Sequence, residues 1–344
     1  MEKLNFKSDK YKDLALNIIL DESKIHSPED AFLLMINGYD YESLNNLCMF
    51  LCHRDYLDED ESYEYTQDLN LNQNYKKVIL DLAYKCINLG FPLGSKLVNN
   101  GKNYNTEWIG HCLNASIVSA NLANILGLNS DIARTLGLLH DYGRKQDHTF
   151  KHMVLGFELL VDRDWHNEAI ACLTHSFVNG GRCSNNEPAV EGFYIDEIGN
   201  SQWEEFTDKD DVTLFLENYK FTEYDIILNI ADLMATSSFI TSPYERIKDI
   251  STRRKIDLKN RTYFLVSITN TLIDFLKKTN YLDNEFPHLT LTPNTNLSDI
   301  ENIFKDVSNY FYLVYQKLSS KEEINIDELE KNKIRKLIKE NRNN

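Results

Sequence analysis

The feature that most constrains this chain is an apolar, helix-spaced stretch in residues 110–156 that leads into a histidine and an aspartate side by side. Apolar residues such as Leu122 and Leu126 recur there at intervals of three and four, which predicts amphipathic helices. One apolar run ends directly at His140 and Asp141, in a chain with nine histidines. Adjacent residues on a helix point about 100° apart, so the pair can share a metal ion only if other ligands close the site.

Further residues of metal-ligating types stand on either side of this pair. His111 lies upstream, His152 and His175 lie downstream, and Asp232 ends an apolar helical run much later in the chain. A buried aspartate on such a helix needs a partner, and a metal ion would provide one. The other histidines are interpreted as core or surface residues bonded to backbone groups: His26, His53, His148, His166 and His288.

Composition favours an all-α fold. Six prolines and thirteen glycines are few for 344 residues, so helices joined by polar loops are expected.

Two segments depart from the regular helical pattern. Residues 179–211 are turn-rich and without a sustained period, which is typical of a lid or binding loop. The lysine-rich tail after Ser319 is predicted to be a frayed or surface helix. The predicted helices span residues 12–20, 27–37, 41–54, 74–89, 106–127, 131–139, 151–161, 167–174, 223–242, 247–254, 261–278 and 297–318.

Charge and hydropathy exclude two classes of partner. The net charge of −16 argues against an extended nucleic-acid interface, because phosphate contacts need many lysine and arginine side chains. No apolar run approaches the roughly 18 residues that span a bilayer, and the first residues do not resemble a signal peptide. We therefore expect a cytoplasmic protein without a membrane partner.

The six cysteines do not form a recognisable disulfide or zinc pattern. No Cys-x-x-Cys pair is present, and in a cytosolic chain such cysteines are typical of small buried hydrophobic residues. Cys48, Cys52 and His53 are close enough in sequence to share a zinc ion, but a second ligand pair is missing. The core interpretation is favoured.

The order of these residues, a histidine, a His-Asp pair, two further histidines and a distant aspartate, resembles the HD-domain superfamily of metal-dependent phosphohydrolases. The resemblance covers roughly residues 107 to 240 and is closest to the dinuclear branch. It implies an HD helical bundle, in which His111, His140, Asp141 and Asp232 hold one metal and His152 and His175 hold a second, with Asp141 bridging. Imidazole and carboxylate ligands suit two divalent transition metals, such as Fe, Mn, Zn, Co or Ni.

The resemblance also implies a chemistry. A metal-bound hydroxide would attack the phosphoester or phosphoanhydride of a small nucleotide-like substrate, with His140 and Asp141 as catalytic residues. Arg144 and Lys145 would bind substrate phosphate, and Gly143 would permit a tight exit from the helix. Four further residues either line the substrate-binding pocket or lie on a surface loop without a function: Arg182, Asn179, Phe193 and Tyr194.

Two alternatives remain open within the same resemblance. HD-fold diiron oxygenases use similar ligands on dioxygen, and non-catalytic HD signalling or scaffold modules also exist, although these usually lose ligands. A cyclic-dinucleotide phosphodiesterase of the HD-GYP type is disfavoured because no Gly-Tyr-Pro follows His175.

The predicted domain organisation has three parts. These are an N-terminal helical extension (1–105), an HD domain (106–242) and a C-terminal helical extension that packs on the HD core (243–344).

Overall fold

A computed structural model shows an all-α architecture with two short β-hairpins in the residues that it describes. These residues are 4–37, 75–88, 98–99, 102–103, 107–149, 151–177, 191–195, 201–205, 211–254, 262–290, 296–320 and 328–343. The helices are α1 (Asp9–Asn17), α2 (Pro28–Ile36), α3 (Tyr75–Asn88), α4 (Glu107–Leu126), α5 (Ser130–Leu139), α6 (His152–Val161), α7 (His166–Thr174), α8 (Asp211–Asn218), α9 (Glu223–Asp232), α10 (Pro243–Arg254), α11 (Thr262–Lys278), α12 (Leu297–Ser320) and α13 (Glu328–Asn343). The all-α prediction is confirmed.

Local sequence explains where several helices begin. Ser27 accepts a hydrogen bond from the backbone N–H of Asp30, and Pro28 occupies the first turn of α2, where its missing N–H costs nothing. At the start of α9, Thr222 and Asp225 form a reciprocal capping box. This cap sets the register of the helix that ends at Asp232.

The core consists of two clusters of buried hydrophobic side chains. One contains Phe32 of α2 and Phe157 of α6, together with residues of α1, α3, α7 and α8. The other contains Phe275 of α11 and Phe304 of α12, together with residues of α9, α10 and α13. Helices α4 and α5 contribute to both clusters. The two helices that lead to the His-Asp pair therefore lie between the clusters, where packing on both sides holds them.

The structure differs from the predicted helices where a turn decides the outcome. Pro243 begins α10 instead of ending the preceding helix, because proline is tolerated in a first helical turn. The preceding helix ends at Asp232, and the chain then makes a turn closed by a bridge between Ala235 and Ile240. Helix α8 was not predicted, and the predicted helix at residues 41–54 lies outside the described residues.

The hairpins are short and antiparallel. Strand β1 (Val98–Asn99) pairs with β2 (Lys102–Asn103), and β3 (Glu191–Ile195) pairs with β4 (Ser201–Glu205). The second hairpin lies within the turn-rich span in which no regular element was expected. Its strands lack the sustained alternation that identifies a strand from sequence.

Helix α13 packs one face onto the protein. Ile334 and Ile338, four residues apart, are both buried in the second cluster, while neighbouring lysines are exposed. The predicted surface helix is therefore anchored rather than frayed. No helix among the described residues is long and apolar enough to cross a membrane.

Candidate metal centre

Helix ends bring all six predicted ligand residues together. His111 lies in the second turn of α4, and Asp232 is the last residue of α9. The remaining four side chains follow or begin helices: His140 and Asp141 come after α5, His152 begins α6, and His175 follows α7. Because each helix is fixed by the hydrophobic clusters, its terminal side chain is positioned without a ligand.

The first group surrounds one oxygen of Asp141. Nε2 of His111 lies 3.1 Å from Nε2 of His140 and 2.8 Å from Oδ1 of Asp232. Oδ2 of Asp141 lies 3.7 Å from Nε2 of His111 and 3.8 Å from Nε2 of His140. His111, His140 and Asp141 are all buried.

The second group surrounds the other oxygen of Asp141. Oδ1 of Asp141 lies 3.0 Å from Nε2 of His152 and 3.5 Å from Nε2 of His175. The two Nε2 atoms are 3.2 Å apart. The rings of His140 and His175 meet edge to face, with centroids 5.0 Å apart, so the two groups adjoin. One carboxylate thus faces both groups.

Hydrogen bonds to the backbone determine the tautomer of every histidine in the centre. Each Nδ1 lies within hydrogen-bonding distance of a carbonyl oxygen, and a carbonyl only accepts, so each Nδ1 carries the proton and each Nε2 of a neutral ring keeps its lone pair. The acceptors are Ala235 for His111, Gly137 for His140, Thr149 for His152 and Ala171 for His175. This is the arrangement that metal-ligating histidines adopt.

The residues present fit divalent cations. In the second group, the Nε2 lone pairs of neutral His152 and His175 rings would repel one another across 3.2 Å. Oδ1 of Asp141 is buried and accepts no hydrogen bond from the residues that the structure describes, although Nε2 of His152 is close to it. A buried carboxylate oxygen without a donor is costly, and a cation between these atoms would relieve both effects.

Burial and neighbouring charges set the protonation of the centre. Burial, with the charge of His140, lowers the pKa of His175 to about 3, so this ring is neutral at neutral pH. Burial alone would raise the pKa of Asp141, but Arg144 and His152 hold it well below its usual range. Burial also opposes ionisation of Asp232, yet the adjacent rings of His111 and His140 hold its pKa well below the usual value. Both carboxylates are therefore ionised.

Burial opposes protonation of His140, whereas Cys112 and Asp141 raise its pKa well above the usual value. Without a cation, the first group therefore retains a proton on His140. Ligand atoms must be deprotonated to coordinate, so a metal ion that binds here would displace that proton.

Gly143 brings the turn after Asp141 into contact with helix α6. A Cβ atom on Gly143 would lie 1.9 Å from the carbonyl oxygen of His152 and 2.6 Å from the backbone nitrogen of Gly156. The glycine is required for this close approach rather than for the tight helix exit expected from sequence, because its φ is not positive. The contact fixes His152 relative to Asp141.

Arg144 and Lys145, both predicted to bind substrate phosphate, lie in different surroundings. Arg144 forms an ion pair with Asp141, and its side chain remains 26% exposed at the edge of the centre. Lys145 donates instead to the carbonyl oxygens of Met35, at 3.3 Å, and Asn37, at the end of α2. Burial and the charge of Arg163 lower the pKa of Lys145 to about 8. The predicted residues whose side chains lie outside the described part of the chain are Arg182, Asn179, Phe193 and Tyr194.

Histidines interpreted as non-catalytic lie in other surroundings. Nδ1 of His26 is 2.8 Å from Oε1 of Glu168, and its ring stacks on Trp165. His288 bonds to Asp274 at 2.6 Å. Cys112 and Cys172 are buried free thiols, as expected, whereas Cys48, Cys52 and His53 lie outside the described residues.

Two residues of the centre were not anticipated from sequence. Asn229 donates to the carbonyl oxygens of Thr174 and His175, each at 2.8 Å, and so holds the end of α7 against α9. Its only sequence signal is a polar residue inside an apolar helical run. Arg246 of α10 has a buried Nε without an acceptor among the described residues, and the charge of Asp232 raises its pKa against the effect of burial. No sequence signal identifies it, since its position depends on the turn after α9.

Together, fold and site define an all-α protein whose buried histidine and aspartate groups indicate divalent metal binding. The sequence model of the HD domain family matches residues 108–237, which include every residue from His111 to Asp232. This segment matches the HD domain, whose superfamily is in general one of metal-dependent hydrolases. Comparisons with curated proteins and with solved structures find no match.

Proposed function

We propose that this protein is a phosphohydrolase that uses two divalent cations to cleave a phosphoester or phosphoanhydride bond in a small, nucleotide-like substrate. The observation that carries the proposal is the position of Asp141, whose two oxygens face separate histidine groups. A single-metal enzyme would not need the second group. His152, His175 and the shared carboxylate of Asp141 would hold the second cation.

The side chains of the centre have distinct roles in this proposal. The Nε2 atoms of His111, His140, His152 and His175 and the carboxylates of Asp141 and Asp232 would hold the cations. When bound, two divalent cations lower the pKa of a coordinated water and stabilise negative charge on phosphoryl oxygens. The ion pair with Arg144 orients Asp141 and places a guanidinium at the edge of the centre, where a substrate phosphate would arrive.

The charge distribution supports a small anionic substrate rather than a polymeric one. The chain carries a net charge of −16, which opposes association with an extended polyanion. At the centre the balance is different, because bound cations would neutralise Asp141 and Asp232 and leave Arg144 as a positive group. Attraction would therefore be local to the site.

The metals are proposed to be transition metals. Imidazole nitrogens with carboxylate oxygens suit Fe, Mn, Zn, Co or Ni, whereas calcium and magnesium prefer all-oxygen sites. The same ligand set would also serve a diiron oxygenase, so the assay must separate the two activities.

The test combines metal content with turnover. Protein purified without chelator is analysed by elemental mass spectrometry and then assayed on nucleotides, p-nitrophenyl phosphate and bis(p-nitrophenyl) phosphate, in air and under anaerobic, reducing conditions. We expect about two metals per chain and release of phosphate or p-nitrophenol without oxygen. Activity that requires dioxygen would favour the oxygenase, and bound metal without turnover would favour a non-catalytic module.

A further inference from the structure

Arg246 lies on a segment tied directly to the first histidine group. The turn between α9 and α10 accepts two hydrogen bonds from α4: Ala235 accepts from Nδ1 of His111 at 3.2 Å, and Thr236 accepts from Asn114 at 2.9 Å. Helix α10 begins at Pro243, and the backbone N–H of Arg246 bonds to Ser242. Because the backbone N–H of Thr241 donates to the carbonyl of Met234 at 2.9 Å, the chain that leads into α10 lies beside the end of α9, which carries Asp232.

The guanidinium of Arg246 is desolvated and poorly paired. Its side chain is 16% exposed, and no described residue accepts a hydrogen bond from its buried Nε. In the part of the chain that the structure describes, its ion-pair partner is Asp249, at 3.6 Å, which is beyond hydrogen-bonding distance. Asp249 is better bound by Arg253, with contacts of 3.0 and 2.7 Å. A buried cation in this state is costly unless it serves a ligand.

The carboxylates of the metal centre act on Arg246 through space. Burial lowers the pKa of Arg246, while Asp232 and Asp141 raise it. The same two carboxylates raise the pKa of Arg144, but Arg144 already donates hydrogen bonds to Asp141 and to the carbonyl of His148. Cations bound by Asp232 and Asp141 would neutralise those charges. Arg246 would then be a guanidinium with donors available for an incoming anion.

We propose that Arg246 binds a phosphate oxygen of the substrate, so that helix α10, which lies beyond the matched HD domain, completes the active site. This inference rests on the proposed phosphohydrolase function. A planar guanidinium binds two phosphate oxygens at once, a geometry that a lysine at this position does not reproduce. The ligand class is a phosphate group held next to the cations, with Arg144 as the second guanidinium.

Inorganic phosphate is the probe, and its binding to the metal-loaded protein is measured by titration calorimetry. We expect Arg246→Gln to weaken phosphate binding by about tenfold to a hundredfold, the range for a hydrogen bond to a charged group, with metal content unchanged. Arg246→Lys should recover part of the loss. Arg253→Gln is the matched control, since it removes a cation from the same helix and from the same partner, Asp249, but is 59% exposed. Its phosphate affinity should equal that of the wild type.

Kinetics with bis(p-nitrophenyl) phosphate provide a second readout, in which Arg246→Gln should raise KM more than it lowers kcat. Unchanged phosphate affinity in Arg246→Gln, or no phosphate binding by the metal-loaded wild type, would overturn the role of Arg246. Loss of metal in Arg246→Gln would instead make it a residue that positions Asp232. By contrast, a metal-loaded wild type that binds phosphate but hydrolyses no phosphate ester would overturn the proposed function.

Discussion

Oδ1 of Asp141 lies 3.0 Å from Nε2 of His152, and the two atoms form no hydrogen bond. Nδ1 of His152 donates to the carbonyl of Thr149, which leaves Nε2 directed at the carboxylate. A ring nitrogen and a carboxylate oxygen that face each other in a buried site are arranged as neighbouring ligands of one cation. The predictions below follow from this arrangement and from the packing that supports it.

Replacing residues of the two groups should remove metals in different numbers. His175→Ala deletes a ligand of the second group only, so we expect about one metal per chain where the wild type holds about two. Asp141→Ala removes the carboxylate shared by both groups and should lower the content below one. His288→Ala, on an exposed histidine, is the control and should keep the wild-type content. Equal loss in the first two variants would contradict two separable sites.

Gly143→Ala should damage both stability and the second metal position. The added Cβ would meet the carbonyl of His152 at 1.9 Å, so the turn and α6 must separate. Such overpacking costs about 1–3 kcal/mol in free energy of unfolding, measured by chemical denaturation. Gly127→Ala is the control for backbone strain without a steric clash, because Gly127 has a φ of 72° and open space around it. It should lose stability and keep its metals.

Asn229→Leu should loosen the end of α7. The substitution leaves the buried carbonyls of Thr174 and His175 without their donor, which costs about 1–3 kcal/mol. Because His175 moves with that helix end, metal affinity of the second group should fall more than that of the first, as read by competition with a chelator. Asn218→Ala, an exposed asparagine that also bonds to a backbone carbonyl, should change stability by less than about 0.5 kcal/mol.

Ile338→Ala should destabilise the whole protein if α13 is part of the fold. Ile338 is fully buried in the second hydrophobic cluster, and such truncations cost about 2–5 kcal/mol. Lys339→Ala, on the exposed face of the same helix, should cost less than about 0.5 kcal/mol. Thermal unfolding followed by circular dichroism compares the two. Equal melting temperatures would mean that α13 contributes no packing energy.

Lys145 should give the free energy of unfolding a defined dependence on pH. The pKa of Lys145 is about 8 in the folded protein, compared with the ordinary value of 10.5 that applies to the unfolded chain. Between these two pH values the folded state therefore binds fewer protons than the unfolded state. The free energy of unfolding therefore rises with pH in that window, and the penalty of the buried charge is fully present below about pH 8. Relative to Lys145→Met, the wild type should gain stability from pH 8 to 10. A constant difference would show that Lys145 titrates normally.

Part of the site could be anticipated because its residues carry local signals. His111 precedes a helical apolar run, and His140, Asp141 and Asp232 end such runs. Their order resembles the HD family, and the family model matches this segment. Arg246 and Asn229 carry no comparable signal. One depends on a turn between helices, and the other on two carbonyl groups from a helix distant in sequence.

The sequence by itself determined the all-α class and the HD domain, because helical periodicity and the order of histidines and aspartates are local properties of the chain. Only the tertiary structure decided which nitrogen of each histidine faces the centre, which oxygen of Asp141 faces each group, and where Arg246 lies. These depend on backbone carbonyls and turns supplied by other segments. Such contacts between distant residues leave no period in the sequence.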